Sequence, residues 1–183
     1  MSEIAILQVP LSFDRLRSVQ RQRRLHLLSP SGGFPVSQSH EHDPNCLFCK
    51  IIRGEIPSDL VLETDVAVAF LDIRPVNKGH VLLVPRAHHT DLTGLDETIA
   101  AATAALLPKL CRAVTLVTKA EGVNVIINNG EVAGQTIMHG HWHIIPRWKD
   151  DPVHWPWPHQ EYRGDELKEM RAAIVSKLKP VSD

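Results

Sequence analysis

The stretch Gln135-Thr-Ile-Met-His-Gly-His-Trp-His-Ile-Ile-Pro-Arg147 constrains this chain more than any other. His139, His141 and His143 alternate with Gly140, Trp142 and Ile144. In an extended strand, side chains two residues apart share a face. The spacing therefore predicts a strand with the imidazoles along one face, successive rings roughly 7 Å apart. From Trp142 onward the opposite face is apolar and suits a core. Pro146 brings no amide donor and fits the end of a strand. A strand that only needs a wet side has little reason to carry imidazoles in strict alternation, because their charge changes near neutrality.

The rest of the chain can support such a strand. With 183 residues, 43% of them hydrophobic, it is long enough for one domain plus extensions. A formal net charge of -1 gives no global field that would draw nucleic acid or a membrane surface, and neither is expected as a partner. No run of roughly 20 apolar residues suggests a membrane span, and no basic leader followed by an apolar run marks a secretory signal. Three cysteines do not make a disulfide framework. A reducing, cytoplasmic setting follows as the expectation.

Residues 1–44 are set apart by Arg15, Arg17, Arg21, Arg23 and Arg24 and by the linker-like Ser29-Pro-Ser-Gly-Gly-Phe-Pro35. Residues 11–28 could form a short basic helix. A transit peptide is one reading of this region, but Glu3 and Asp14 argue against it, and a disordered basic extension is expected. The compact domain should begin near Asn45, with a short helix over 46–52. Two apolar runs, 60–63 and 66–71, flank Thr64-Asp65 and predict a β-hairpin. A third strand is expected over 80–85. Residues 97–119 repeat apolar positions at helical spacing, with Pro108 kinking or interrupting the helix and Gly122 ending it. A fourth strand over 123–128 and a glycine-bearing loop lead into the histidines. The segment Pro152-Val-His-Trp-Pro-Trp-Pro158 cannot be regular, and 164–178 reads as an amphipathic helix. Strands in a run around one long helix predict an α+β fold with an antiparallel sheet.

These blocks together resemble the histidine triad (HIT) superfamily. His139-x-His-x-His143-Ile-Ile followed by Pro-Arg is similar to its signature. Asn45-Cys-Leu-Phe-Cys-Lys-Ile-Ile-Arg-Gly-Glu-Ile-Pro57 resembles its N-terminal opening. Phe70-Leu-Asp-Ile-Arg-Pro75, Gly79-His-Val-Leu-Leu-Val-Pro-Arg-Ala-His88 and Asn128-Asn-Gly-Glu-Val-Ala-Gly-Gln-Thr136 resemble its intervening blocks. The resemblance covers residues 45–150 as the HIT domain, with 151–183 a C-terminal Pro/Trp segment and helix. It implies a five-stranded antiparallel sheet with one long helix and a short N-terminal helix, the sheet extended across a homodimer. It also implies a nucleotide hydrolase or nucleotidyl transferase acting at the α-phosphate, of phosphoramidase or dinucleoside polyphosphate hydrolase type, with purine nucleotides the family habit.

By that resemblance His141 attacks phosphorus and carries the nucleotidyl group. His143 touches the phosphate or leaving-group oxygen and assists proton transfer. His80 orients the nucleophile, and His139 completes the catalytic set. Gly134, Gln135 and Thr136 place N–H groups and a hydroxyl around phosphate oxygens, with Asn128 beside them. Leu47, Phe48, Ile51, Phe70 and Ile73 enclose base and ribose, and Asp72 accepts the ribose hydroxyls. Met138 and Gly140 stand where larger residues are frequent in the family. Trp155 resembles a tryptophan that reaches a partner subunit's site in one branch, or it packs on its own domain.

A Cys-x-x-Cys pair such as Cys46 and Cys49 can be redox-active, structural, or half of a zinc site. The resemblance implies a structural zinc at Cys46, Cys49, His88 and His139, with His89 the neighbouring alternative to His88 and His40 and His42 left to the tail. It implies no catalytic metal. Cys111 reads as a small apolar residue of the long helix. Two rivals remain. In one, the triad histidines hold a metal that activates water; in the other, the protein binds or scaffolds nucleotides without turnover.

Overall fold

A computed structural model describes residues 42–154 and 156–179. The expectations placed on residues 1–41, including the basic helix and His40, lie outside the described residues, as does Trp155.

The elements run α1 (Leu47–Ile52), β1 (Leu60–Glu63), β2 (Ala67–Leu71), β3 (Val81–Pro85), α2 (Glu97–Ala104), α3 (Leu107–Thr118), β4 (Gly122–Ile126), β5 (Trp142–Arg147) and α4 (Glu166–Leu178). The strands form one antiparallel sheet in the order β1-β2-β3-β5-β4. The expected α+β architecture with five antiparallel strands is therefore present.

Period-two alternation sorts the sheet's side chains between two cores. Ala67, Ala69, Leu71, Val81, Leu83, Trp142 and Ile144 face Leu110, Ala113 and Val114 of α3 and Ile174 and Leu178 of α4. Val68, Phe70, Leu82 and Val84 face the other way and pack on Cys46, Phe48 and Cys49 of the α1 region. His143 pairs with Leu82 across the ladder. It therefore lies on the α1 face, as does His80, two residues before Leu82.

The hairpin turn falls where expected: Thr64 Oγ1 donates to the Ala67 carbonyl at 2.9 Å and accepts from the Ala67 amide at 3.1 Å. Pro108 interrupts rather than kinks the long helix, because it sits in the first turn of α3, where its missing N–H costs nothing. Two expectations need correction. α3 ends at Lys119, which takes the left-handed conformation at φ 55°, and Gly122 already belongs to β4. The stretch Glu97–Thr118 also reaches the length and apolarity of a membrane span, contrary to the sequence reading. Its alanines make it apolar, and its buried residues pack on the sheet.

Candidate functional site

The histidine segment departs from regular alternation. Only His143 lies within β5; His139 falls in a bend and His141 just precedes the strand. The His139 amide donates to the Ile137 carbonyl at 2.8 Å, and the Gly140 amide donates to the His89 carbonyl at 2.7 Å. Gly140 allows this approach, since a Cβ there would stand 3.1 Å from the Asp91 carbonyl carbon. The bend brings the His141 and His143 ring centroids to 4.7 Å, closer than straight-strand spacing, and turns His139 toward the cysteines. The three imidazoles do not converge on one point. His139 Nδ1 faces Cys46 and Cys49, His141 Nδ1 bonds a carbonyl, and His143 Nδ1 bonds His80. This arrangement does not support the rival in which all three hold one metal.

The triad rings and His80 are buried, and their hydrogen-bond partners assign their tautomers. His141 Nδ1 lies 2.6 Å from the His139 carbonyl, which can only accept. Its proton is thus on Nδ1, and Nε2 keeps the lone pair. The Val76 amide donates to His80 Nδ1 at 3.3 Å, so His80 carries its proton on Nε2. That proton is donated to His143 Nδ1 at 3.0 Å, which leaves the His143 proton on Nε2. Asp72 Oδ2 stands 3.4 Å from the same His80 Nδ1. Burial raises the Asp72 pKa above the ordinary carboxylate value, opposed by the Arg74 amide. Burial also lowers His80 to about 3 and drives His143 down, reinforced by neighbouring imidazoles. For His141 burial again lowers the pKa, opposed by the His139 carbonyl and the Asp72 charge. All three rings are therefore neutral near pH 7.

Around His141 the expected walls are partly assembled. The Phe48 ring meets it edge-on at 5.0 Å and Phe70 at 5.4 Å. Ile51 packs against the same core, whereas Leu47 is partly exposed and Ile73 stands 70% exposed. In the glycine-bearing loop, the Gly134 amide donates to the Glu131 carbonyl and the Gln135 amide to the Gly130 carbonyl. Those two N–H groups are engaged inside the turn. The Gln135 side chain is likewise structural: Nε2 donates to the Thr90 and Ile137 carbonyls, and Oε1 accepts from the Gly130 amide. Asn128 Nδ2 donates to the Gly134 carbonyl at 3.4 Å. Thr136 is exposed.

Sequence reasoning missed the strap formed by residues 156–163. Trp157 meets the His143 ring edge-on at 5.0 Å. His159 Nδ1 donates to the Arg74 carbonyl, the Gln160 amide to the Pro75 carbonyl, and the Gly79 amide to the Tyr162 hydroxyl oxygen. The signal is the run Trp155-Pro-Trp-Pro158, in which Trp157 and not only Trp155 is a candidate for the site.

Cys46, Cys49, His88 and His139 form a second cluster, their donor atoms all within 4.8 Å of one another. Sγ of Cys46 and of Cys49 lie 3.5 and 3.7 Å from His139 Nδ1. His88 Nδ1 lies 3.4 Å from Cys49 Sγ and 3.3 Å from His139 Nδ1. A tetrahedral ion with Zn–S about 2.3 Å and Zn–N about 2.0–2.1 Å sets donors about 3.5 Å apart for sulfur to nitrogen and about 3.3 Å for nitrogen to nitrogen. The donor set fits those edges. His139 Nε2 donates to the Pro85 carbonyl at 3.0 Å, which leaves Nδ1 deprotonated toward the cluster, as a metal ligand requires. Burial pushes the Cys49 thiol up to about 11, an effect a bound cation would oppose. The cluster can hold a metal ion, and His88 rather than His89 is the residue in it.

The HIT domain family model matches residues 53–150, more than half of the chain. The chain belongs to the HIT family. Among HIT relatives, the Bacillus subtilis protein named Protein hit is 39% identical over 73% of this chain and 94% of its own length. A Schizosaccharomyces pombe relative named adenosine 5'-monophosphoramidase is 36% identical over 74% of this chain and 99% of its own. A Zn-bound histidine triad family protein from Mycobacterium smegmatis superposes with a TM-score of 0.63 at 33% identity, covering 72% of this chain and 94% of that one.

Proposed function

We propose that this HIT protein hydrolyses nucleotides at the α-phosphate through a covalent nucleotidyl intermediate on His141, with a phosphoramidate of a purine nucleoside as the favoured substrate class. The carrying observation is the His141 ring, whose Nδ1–H is fixed on the His139 carbonyl at 2.6 Å while Nε2 keeps its lone pair. A buried, neutral imidazole in that tautomer is a competent nucleophile. In the first displacement Nε2 forms an N–P bond as the bond from phosphorus to the leaving group breaks. The departing amine or oxygen takes the bond's electron pair, held by a hydrogen bond from His143 Nε2–H, and draws its proton from solvent. The chain Val76 N–H, His80, His143 supports this role, because it leaves a proton on that nitrogen. Water then attacks phosphorus, the N–P bond breaks with its electron pair returning to His141 Nε2, and the nucleoside monophosphate leaves as the water's proton passes to solvent. Phe48, Ile51 and Phe70 enclose the nucleoside, Asp72 receives ribose hydroxyls, and Thr136 with Asn128 meets the phosphate.

Zinc is the metal proposed for Cys46, Cys49, His88 and His139. When bound there it supplies a cross-link between α1 and the histidine segment, and the hydrolysis needs no metal at phosphorus. Thiols held as metal donors suit a reducing, cytoplasmic setting. A homodimer joined along the sheet is proposed as the working unit.

The deciding test compares wild type with His141→Ala on adenosine 5'-monophosphoramidate and a dinucleoside polyphosphate. Turnover should fall by at least about 10³-fold in the variant, as when a nucleophile is removed from a covalent mechanism. Acid-labile phosphate on the quenched wild-type protein should mark the intermediate. Equal rates in the two proteins would remove the enzymatic reading and leave a nucleotide-binding protein.

A further inference from the structure

The clustered donors come from three separate pieces of chain, and each piece also builds the proposed nucleotide pocket. Cys46 and Cys49 flank Phe48 at α1, whose ring walls His141. His88 opens a segment that holds the loop preceding the triad: the Thr90 carbonyl accepts from Gln135 Nε2 at 2.5 Å, and the Leu92 amide donates to Asn129 Oδ1 at 2.8 Å. His139 offers Nδ1 to the cluster while its backbone carbonyl fixes the proton of His141. The His89 carbonyl, next to His88, accepts from the Gly140 amide between the two histidines.

Outside the cluster, α1 rests on the smaller core, against Val68, Phe70, Leu82 and Val84. It is a six-residue helix whose N-cap, Cys46, makes no side-chain capping bond, and isolated helices of that length do not persist. The larger core, between the sheet and α3 and α4, contains none of the four donors. Removing a metal should therefore loosen α1, residues 88–92 and the His139–His141 bend while the sheet persists. A nucleotide must then order those pieces at its own cost in entropy; a bound metal has already ordered them.

We propose that metal occupancy at Cys46, Cys49, His88 and His139 and binding of a nucleoside 5'-phosphate are energetically linked, with His139 as the positioning residue that joins the two sites. The proposal rests on the nucleotide reading above. Linkage is reciprocal: the factor by which the metal tightens the nucleotide is the factor by which the nucleotide tightens the metal. The metal is then more than a local staple, because it sets the orientation of the nucleophile through the His139 carbonyl.

The experiment uses the full chain, stripped by a chelator and checked for retained fold by far-UV circular dichroism. Zn2+ affinity is measured by competition with a chromophoric chelator, alone, with saturating adenosine and with saturating AMP. AMP should raise Zn2+ affinity by about 5–150-fold, the usual range of site-to-site coupling. Adenosine should raise it less, because it lacks the phosphate that reaches His141. Calorimetric titration of AMP with and without Zn2+ should return the same factor. Asn129→Ala leaves all four donors in place and cuts the bond from Leu92 to the loop; it should preserve Zn2+ affinity in the absence of AMP and shrink the AMP effect. Equal Zn2+ affinity with and without AMP, in a protein that does bind AMP, overturns the linkage. Loss of the fold on chelation also overturns it, since the coupling would then be global unfolding. An Asn129→Ala protein with undiminished coupling overturns the route through residues 88–92. A zinc-loaded protein that fails to bind AMP is a different result: it overturns the nucleotide reading itself.

Discussion

A histidine serves as nucleophile or proton donor only when something else decides which nitrogen carries the hydrogen. Here backbone groups decide it: the His139 carbonyl for His141 and the Val76 amide for His80. None of this was legible in the residue types. The motif blocks pointed to the histidines, but the tautomers depend on a bend at 137–141 that alternation alone does not foretell. Burying neutral imidazoles has a consequence for stability. Folded His80 is lowered to about 3, and His143 is lowered as well, mainly by burial; unfolded histidine titrates at about 6.5. Between those values the unfolded chain binds more protons, so stability rises with pH across the window. The contribution is full above about pH 6.5 and is lost as pH falls toward about 3. Carboxylates held low by partners, such as Glu166 beside Lys78, act below the ordinary carboxylate range and leave the upper part of the window to histidine. Thermal unfolding of the zinc-loaded protein between pH 5 and 7 should show the melting temperature falling with acid. His80→Asn should flatten that slope, and an unchanged slope would remove this account of the acid sensitivity.

At the scale of elements, most boundaries were legible because local chemistry fixes them. The Thr64-Asp65 turn, the Pro108 break and the α4 pattern follow from hydrogen bonding and periodicity. The end of α3 did not, because Lys119 adopts a left-handed conformation that the sequence offers no reason to expect. The turn entering β3 is a sharper case. Gly79 has φ +95°, and a Cβ there would meet Thr118 Cγ2 of α3 at only 2.5 Å. Glycine is required twice over, by backbone conformation and by the closeness of the helix. Gly79→Ala should cost about 1–3 kcal/mol, measured by urea unfolding, since both strain and a clash are introduced. Thr118→Ser deletes Cγ2 and should recover part of the loss in the double variant. No recovery would mean that backbone strain alone accounts for the cost. Because His80 follows Gly79 directly, the same variant should also lower turnover.

For the whole molecule, the sheet separates two kinds of work. One face buries α3 and α4, and the other carries the histidines, Phe70 and the α1 region. Only the histidine segment, apolar on one face from Trp142 onward, showed its two sides in the sequence; β2 and β3 are apolar throughout, so their division between two cores was not legible. The strap over His143 was not legible, because a segment rich in proline and tryptophan has no period to read. The sheet's two edges also differ. β1 is attended by α4, with Arg171 Nε donating to the Leu60 carbonyl. Among the described residues β4 pairs only with β5, and it leaves Val125 exposed, while Leu116 of α3 is 65% exposed. An edge strand with exposed apolar side chains is a template for pairing with another chain. A second copy meeting this edge would bury both residues and continue the sheet across a two-fold axis. Sedimentation equilibrium should then give twice the 20.4 kDa chain mass. Placing a charge on each copy, as in Val125→Asp with Leu116→Asp, should shift the protein toward monomer by repulsion and desolvation across the axis, with the far-UV circular dichroism unchanged. A dimer that survives both substitutions would place the interface on another surface, whereas a wild-type monomer would remove the homodimer from the proposed function.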